Sequence, residues 1–441
     1  MTVLTKPKIE RCVAREILDS RGNPTVEAIV YLENGSIGIA SAPSGASTGE
    51  HEAHEKRDGN RTRYRGKGVL ETASVVQNEI SPVLKGLSAS DQYLVDRALR
   101  RLDGSENKNH YGANVLLALS LANARAVANY YHIPLFRYLG GTNADRLPIP
   151  MMNVLNGGAH ASNNLEIQEF MIVPVGADSF SDAMRIGSEI YHTLRGILES
   201  RGYATAVGDE GGFAPNLSSD EEALDLLCEA IREAGYDETV VRLALDAAAS
   251  EWYSEGETYH MPKRGKTCAR QDLIDYWKRL CGCYPILSIE DGLDENDFSG
   301  WSLLTGELGN RIMLVGDDLF VTNTSRLRTG IEMRAANAVL VKPNQIGTLS
   351  ETLDLIHAAT EAGYGFILSH RSGETEDTSI ADIAVATNAR FIKAGAPCRG
   401  ERVCKYNRLL RIENSLCGIG RYGSRYASFA ESAISSTIGQ M

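Results

Sequence analysis

The sequence lacks several features that would have fixed its class at once. No stretch of about 18 consecutive apolar residues occurs, so no membrane-spanning helix is expected. The opening residues, Met1 to Asp19, hold no apolar core of a targeting signal, so no secretory leader is expected. The eight cysteines form no Cys-x-x-Cys pair, and the nearest approach is Cys281 with Cys283. That argues against a zinc ribbon or a disulfide scaffold, and for free thiols in a reduced, cytoplasmic setting. Positive charge is also short: 45 Lys and Arg stand against 57 Asp and Glu, a formal net charge of -12. Such a chain has no general attraction for nucleic acid or anionic membrane. An anionic substrate would have to be met by a few cations placed locally, or by metal ions.

What the sequence does have is length and apolar material. It runs to 441 residues, 43% of them hydrophobic, enough for a large core and for two or three domains or a barrel with an addition. The first third reads as a small α+β unit. Residues 9–33 alternate around the turn Ser20-Arg21-Gly22-Asn23-Pro24, which predicts a hairpin. A small-residue loop, Ser44-Gly45-Ala46-Ser47-Thr48-Gly49, follows, and residues 113–130 have helical periodicity. The segment Arg146-Leu147-Pro148-Ile149-Pro150 marks an expected boundary.

Beyond it a pattern repeats. A short apolar run ends in a charged residue, and a helical segment follows. The terminal groups are Asp246, Glu290, Asp317, Lys342, His370 with Arg371 and Ser372, and Lys393. From Glu290 onward the steps are 27 (317−290), 25 (342−317), 28 (370−342) and 23 (393−370) residues. Each is close to the length of one βα unit. Repeated units of this kind predict an α/β fold built on a (β/α)8 barrel, in which the C-terminal strand ends converge on one mouth. Those groups should therefore face one another across a pocket.

Their chemistry is specific. Three carboxylates from three successive strand ends suit a hard cation such as Mg2+. A lysine beside cations, with its neutral form favoured, is a candidate proton acceptor. Arg371 and Ser372 suit a phosphate or carboxylate. Glu210, flanked by glycines in Gly208-Asp209-Glu210-Gly211-Gly212-Phe213, is a candidate acid–base group on a tight turn. Three other signals carry little. Residues 418–423 spell GxGxxG without a following βαβ unit, and residues 45–49 spell GxSxG outside any strand-to-helix turn of a large sheet. His51 and His54 read as the solvated start of a helix.

The longer motifs go further. Asp19-Ser20-Arg21-Gly22-Asn23-Pro24-Thr25-Val26-Glu27, Met152-Asn153-Val154-Leu155-Asn156-Gly157-Gly158, Gln168-Glu169-Phe170-Met171, Asn344-Gln345-Ile346-Gly347-Thr348 and Ser369-His370-Arg371-Ser372-Gly373-Glu374-Thr375 follow in one order. With the SGASTG loop and the Glu210 turn, they make the chain resemble the enolase family over essentially its whole length.

The resemblance implies a small N-terminal α+β capping domain, residues 1–139, on a variant TIM barrel, residues 145–441, with a ββαα start and one antiparallel strand. It implies the reversible dehydration of 2-phosphoglycerate to phosphoenolpyruvate in glycolysis and gluconeogenesis, with two Mg2+ per active site. By position, Asp246, Glu290 and Asp317 would hold the first ion and Ser47 would help hold the second. Lys342 would be the base and Glu210 the acid, supported by Glu169 and His160. Gln168, His370, Arg371, Ser372 and Lys393 would bind substrate. The resemblance further implies a cytoplasmic homodimer or octamer, with surface display as a secondary location and no nucleic acid required. An enolase paralogue acting on a phosphonate analogue of phosphoenolpyruvate is the nearest alternative.

Overall fold

The computed structural model describes residues 6–45, 51–254 and 256–423. The expected hairpin is present. Strands β1 (Ile9–Leu18) and β2 (Pro24–Leu32) pair antiparallel, with Leu18 opposite Pro24. The turn between them is fastened by Asp19, whose Oδ1 accepts the amides of Arg21 at 2.9 Å and Asn23 at 2.8 Å. A third strand, β3 (Ile37–Ser41), completes a meander. Helix α1 (Gln92–Asp103) starts at Asp91, whose side chain accepts the Leu94 amide. Helix α2 (Ala113–Tyr130) packs on β2 and β3 along a face rich in Ala and Leu. Contact is close at Gly38, where a Cβ would meet Ala122 O at 2.0 Å, so only glycine fits there.

Eight strands then close a barrel: β4 (Ile149–Asn156), β5 (Glu169–Val173), β6 (Arg242–Asp246), β7 (Ile286–Glu290), β8 (Met313–Gly316), β9 (Ala338–Val341), β10 (Gly365–Ser369) and β11 (Phe391–Lys393). Neighbours pair in chain order and β11 pairs with β4. Strands β4 and β9 are buried at every residue, as expected for strands covered on both faces. Strand β5 runs antiparallel to both β4 and β6, and two helices, α3 (Phe180–Ser200) and α4 (Asp220–Glu233), separate it from β6. The repeating grammar of the sequence does not show this reversal; the resemblance implied it. Helix α5 (Arg270–Cys283) follows β6, and from β7 onward helices alternate with strands, ending in α6 (Gly400–Ser415).

Three smaller readings also meet the structure. All eight cysteines are free thiols. Residues Arg421–Tyr422, within the GxGxxG string, form a short parallel pair with Arg146–Leu147. His51 and His54 do not start a helix: the backbone there is irregular. Its amides are taken by distant carbonyls instead, Ala53 N–H by Gln345 O at 2.9 Å and His54 N–H by Asn107 O at 2.7 Å. Among the described residues no helix is long and apolar enough to cross a membrane.

Candidate active site

The barrel brings the strand-end residues together as expected. One cleft is lined by His160, Gln168, Glu169, Glu210, Asp246, Asp317, Lys342, His370, Arg371, Ser372 and Lys393. Glu290 reaches it through Lys393. The reversal of β5 explains how Gln168 and Glu169 arrive there. An antiparallel strand presents its first residue at the mouth where its neighbours end, and the register places Glu169 opposite both Asn156 and Asp246. Ser47 lies outside the described residues.

Lys393 is the hub of one side. Its Nζ lies 3.0 Å from Asp246 Oδ2, 2.9 Å from Glu290 Oε1 and 3.1 Å from Glu169 Oε2. Burial works against its charge, but Asp246, Glu169 and Glu290 outweigh it and hold its pKa well above the usual lysine value. Gln168 Nε2 approaches Asp246 Oδ2 at 3.4 Å.

Lys342 leaves β9 and pairs with Asp317 Oδ2. Burial again opposes the ammonium, yet the Asp317 carboxylate wins and the lysine pKa is raised. With a carboxylate as its partner the lysine is held as the ammonium; the expectation of a neutral lysine refers to one beside bound cations. Asp317 also accepts from Gln345 Nε2 at 3.0 Å. Arg371 is held by both oxygens of Glu52, at 2.9 and 3.1 Å, and by Asn344 Oδ1 at 3.1 Å.

The opposite side carries the acid groups. The tight turn of Glu210 forms as its glycines suggested: Gly208 N–H donates to Gly212 O at 2.8 Å, and Gly211 has φ +89° with no room for a Cβ beside Cys398. Glu210 accepts from Ser372 Oγ at 3.1 Å and Asn153 Nδ2 at 3.3 Å, with His370 Nε2 at 3.3 Å. His160 Nδ1 lies 3.5 Å from Glu169 Oε1. Burial first, then the charge of Glu210, pushes the Glu169 carboxyl well above the usual range. Burial drives His370 down to about 4, so the ring is neutral near pH 7. It therefore stands beside Glu210 as a neutral ring, 3.3 Å away but outside hydrogen-bonding geometry.

Three lining carboxylates were missed, Glu251, Asp291 and Asp318. Asp291 and Asp318 line the cleft beside Asp317, and the ligand oxygens of these three lie within 4.8 Å of one another. The Asp291 carboxylate accepts the amides of Asp317 and Asp318 at 2.9 and 2.8 Å. The signal was in the sequence as the doublets Glu290-Asp291 and Asp317-Asp318. Burial and then Asp317 push Asp318 up to about 8. Burial and then Asp318 push Asp291 well above its usual value. Seven carboxylates (Glu169, Glu210, Asp246, Glu251, Asp291, Asp317, Asp318) face three permanent cations (Lys342, Arg371, Lys393) in this lining. An all-oxygen donor set under like-charge strain fits a hard divalent cation, which relieves that strain.

Two comparisons with known families complete the picture. The family model described as the enolase C-terminal TIM barrel domain matches residues 144–430, and that of the enolase N-terminal domain matches residues 9–139. The chain belongs to the enolase family. Enolase-family enzymes bind Mg2+, and the acidic groups at this mouth are positioned to hold a metal. The protein is thus an enolase-type lyase, a family whose members act on small molecules.

Proposed function

We propose that the protein catalyses the reversible dehydration of 2-phosphoglycerate to phosphoenolpyruvate, the step shared by glycolysis and gluconeogenesis. The observation that carries this reading is the placement of the base opposite the acid side, where the acid Glu210 and its supporting Glu169 bring their carboxylates within 4.8 Å of each other. Lys342 follows the third strand and Glu169 opens the seventh strand of the closed order that begins at β7, four strands apart around a ring of eight. They face each other across the mouth. Removal of a proton from C2 and of hydroxide from C3 on opposite faces of a substrate needs that arrangement.

In this reading Lys342 takes the C2 proton. Asp317 holds its Nζ in place, and the lysine accepts the proton as the neutral amine, the form that Mg2+ bound at Asp317 would favour over the ammonium. Glu210 protonates the leaving C3 hydroxyl, and Glu169 and His160 supply and orient that proton. Glu169 retains a proton to higher pH than an ordinary carboxyl, which suits it as the reservoir. Arg371 and Ser372 hold the phosphate, with His370 beside them. Lys393 pairs with the substrate carboxylate, and Gln168 closes the pocket wall. Asp246, Glu290 and Asp317 would hold one Mg2+ and Ser47 would help hold a second. When bound, these ions stabilise the negative charge that develops on the substrate carboxylate. We further take residues 1–139 and 145–441 as the two domains of a cytoplasmic homodimer or octamer, as the family resemblance suggests.

The test is direct. Purified protein is mixed with 2-phosphoglycerate and Mg2+, and the ultraviolet absorbance of the enol product is followed, beside a chelator control and Lys342→Ala. Metal-dependent product that disappears in the variant supports the reading. Folded, metal-loaded protein with no turnover sinks it, and turnover only on a phosphonate analogue moves the paralogue reading forward.

A further inference from the structure

Arg402 lies on α6, beyond the last barrel strand and not at any strand end, and no motif marks it. It is completely buried. Its Nη1 donates to His370 Nδ1 at 2.6 Å and to Arg371 O at 2.5 Å. Its Nη2 donates to Ser372 O at 2.5 Å and to Asp209 O at 3.1 Å. One guanidinium thus touches three consecutive residues of the substrate-binding loop and the residue before Glu210.

The contact with His370 decides more than position. A guanidinium has five donors and no acceptor, and it does not lose its proton in a protein. The ring nitrogen that accepts from it must therefore carry a lone pair. In a neutral imidazole this leaves the proton on Nε2, and Nε2 is the atom 3.3 Å from Glu210 Oε2. The neutral state follows from burial, as above.

The helix face that carries the arginine is anchored beside it. Lys405 and Tyr406 share its helix face at spacings of three and four residues. Lys405 Nζ donates to Thr375 O at 2.7 Å, and Tyr406 Oη donates to Gly395 O at 2.6 Å. The passage for the Arg402 side chain depends on Gly395, where a Cβ would stand 2.8 Å from Arg402 Cδ and from Glu210 O.

We propose that Arg402 is a positioning residue that fixes His370 as its Nε2–H tautomer, with that nitrogen on the Glu210 side of the ring, and locks the loop so that Arg371 and Ser372 face the substrate. The catalytic part of this inference rests on the function proposed above; the tautomer does not.

The test separates the two. Long-range 15N spectra of histidine-labelled wild-type protein, with His370 assigned by its loss in His370→Gln, report the ring tautomer directly. The expected pattern is a neutral ring protonated at Nε2. A ring protonated at Nδ1, or at both nitrogens near pH 7, overturns the proposal, whether or not any variant folds. In Arg402→Met the pattern should shift and kcat for 2-phosphoglycerate should fall about 10- to 100-fold, the range for loss of a partner that orients a working imidazole. Arg402→Lys keeps a donor and should recover most of that loss. In a His370→Gln background Arg402→Met should cost much less. An undiminished loss there means that Arg402 acts only by holding the fold, and overturns the proposal. A wild-type protein without turnover but with the Nε2–H ring would sink the functional reading and leave the tautomer standing.

Discussion

The two sides of the cleft are built on opposite plans. On the base side each cation is already matched: Lys342 by Asp317, and Arg371 by both oxygens of Glu52. On the acid side polar groups are crowded but incompletely matched. Both side-chain polar atoms of Asn156, Oδ1 of Asn153 and Nδ1 of His160 are buried without a hydrogen-bond partner among the described residues. Buried polar atoms are rarely left in that state unless a ligand or water completes them. The difference teaches that one side keeps its charges in reserve as internal ion pairs, whereas the other keeps open hydrogen-bonding capacity.

The largest expected effect tests the base side. Lys342→Ala should lower kcat on the order of 10⁴-fold, the upper range for loss of a positioned proton acceptor. A loss under tenfold, measured by enol absorbance, would remove Lys342 from the chemistry. Glu169→Gln tests the acid side and should lower kcat about 100-fold. Its pH profile is the sharper readout. The Glu169 carboxyl has a raised pKa, so the wild-type rate should fall as pH climbs through that raised value, and the variant should lack that limb. A limb that persists in Glu169→Gln places the working proton elsewhere. Glu52→Gln should weaken the buried pairing that occupies Arg371 and lower KM for the phosphate-bearing substrate about fivefold, equivalent to about 1 kcal/mol. A rise in KM would mean that Glu52 assists binding.

The smallest effect serves as a reference remote from the mouth. Asp96 on α1 is buried where the meander meets the barrel, and its Oδ2 accepts the Ser350 amide at 2.9 Å. Burial raises its pKa from 3.8 to about 6. The native state then binds the proton more tightly than the unfolded chain does. Stability from this group is present below about pH 4 and is lost as pH rises to about 6, a change of about 3 kcal/mol. Denaturant midpoints measured across that window should fall in wild type and flatten in Asp96→Asn. Equal slopes in both would show that the carboxyl is not strained.

The barrel and most of the cleft were legible because each βα unit repeats one rule, an apolar strand followed by a charged end. Asp246, Glu290, Lys342 and Lys393 all obeyed it. Gln168 and Glu169 did not, because β5 runs the other way and offers its beginning to the mouth; only the longer motifs pointed to them. Arg402 escaped because a helix carries it inward from the outer layer. Glu52 escaped because it comes from the small domain, and helical spacing around His51 and His54 misled for the same reason. There the chain gives up its local hydrogen bonds to Gln345 and Asn107, contacts that no local pattern encodes.

The Glu52 pair also bears on selectivity. On the proposed function, a phosphate would reach the Arg371 guanidinium by exchange with a carboxylate tethered to the same chain, at an effective concentration of about millimolar or more. Free inorganic phosphate has only that one exchange to gain from, and a tethered competitor keeps it out. A ligand that engages Lys393 and the facing carboxylates through a metal in the same event brings enough additional attachment to win the exchange. Discrimination between the whole substrate and its phosphate fragment then arises from an internal rival for one arginine, and the shape of the cavity need not supply it.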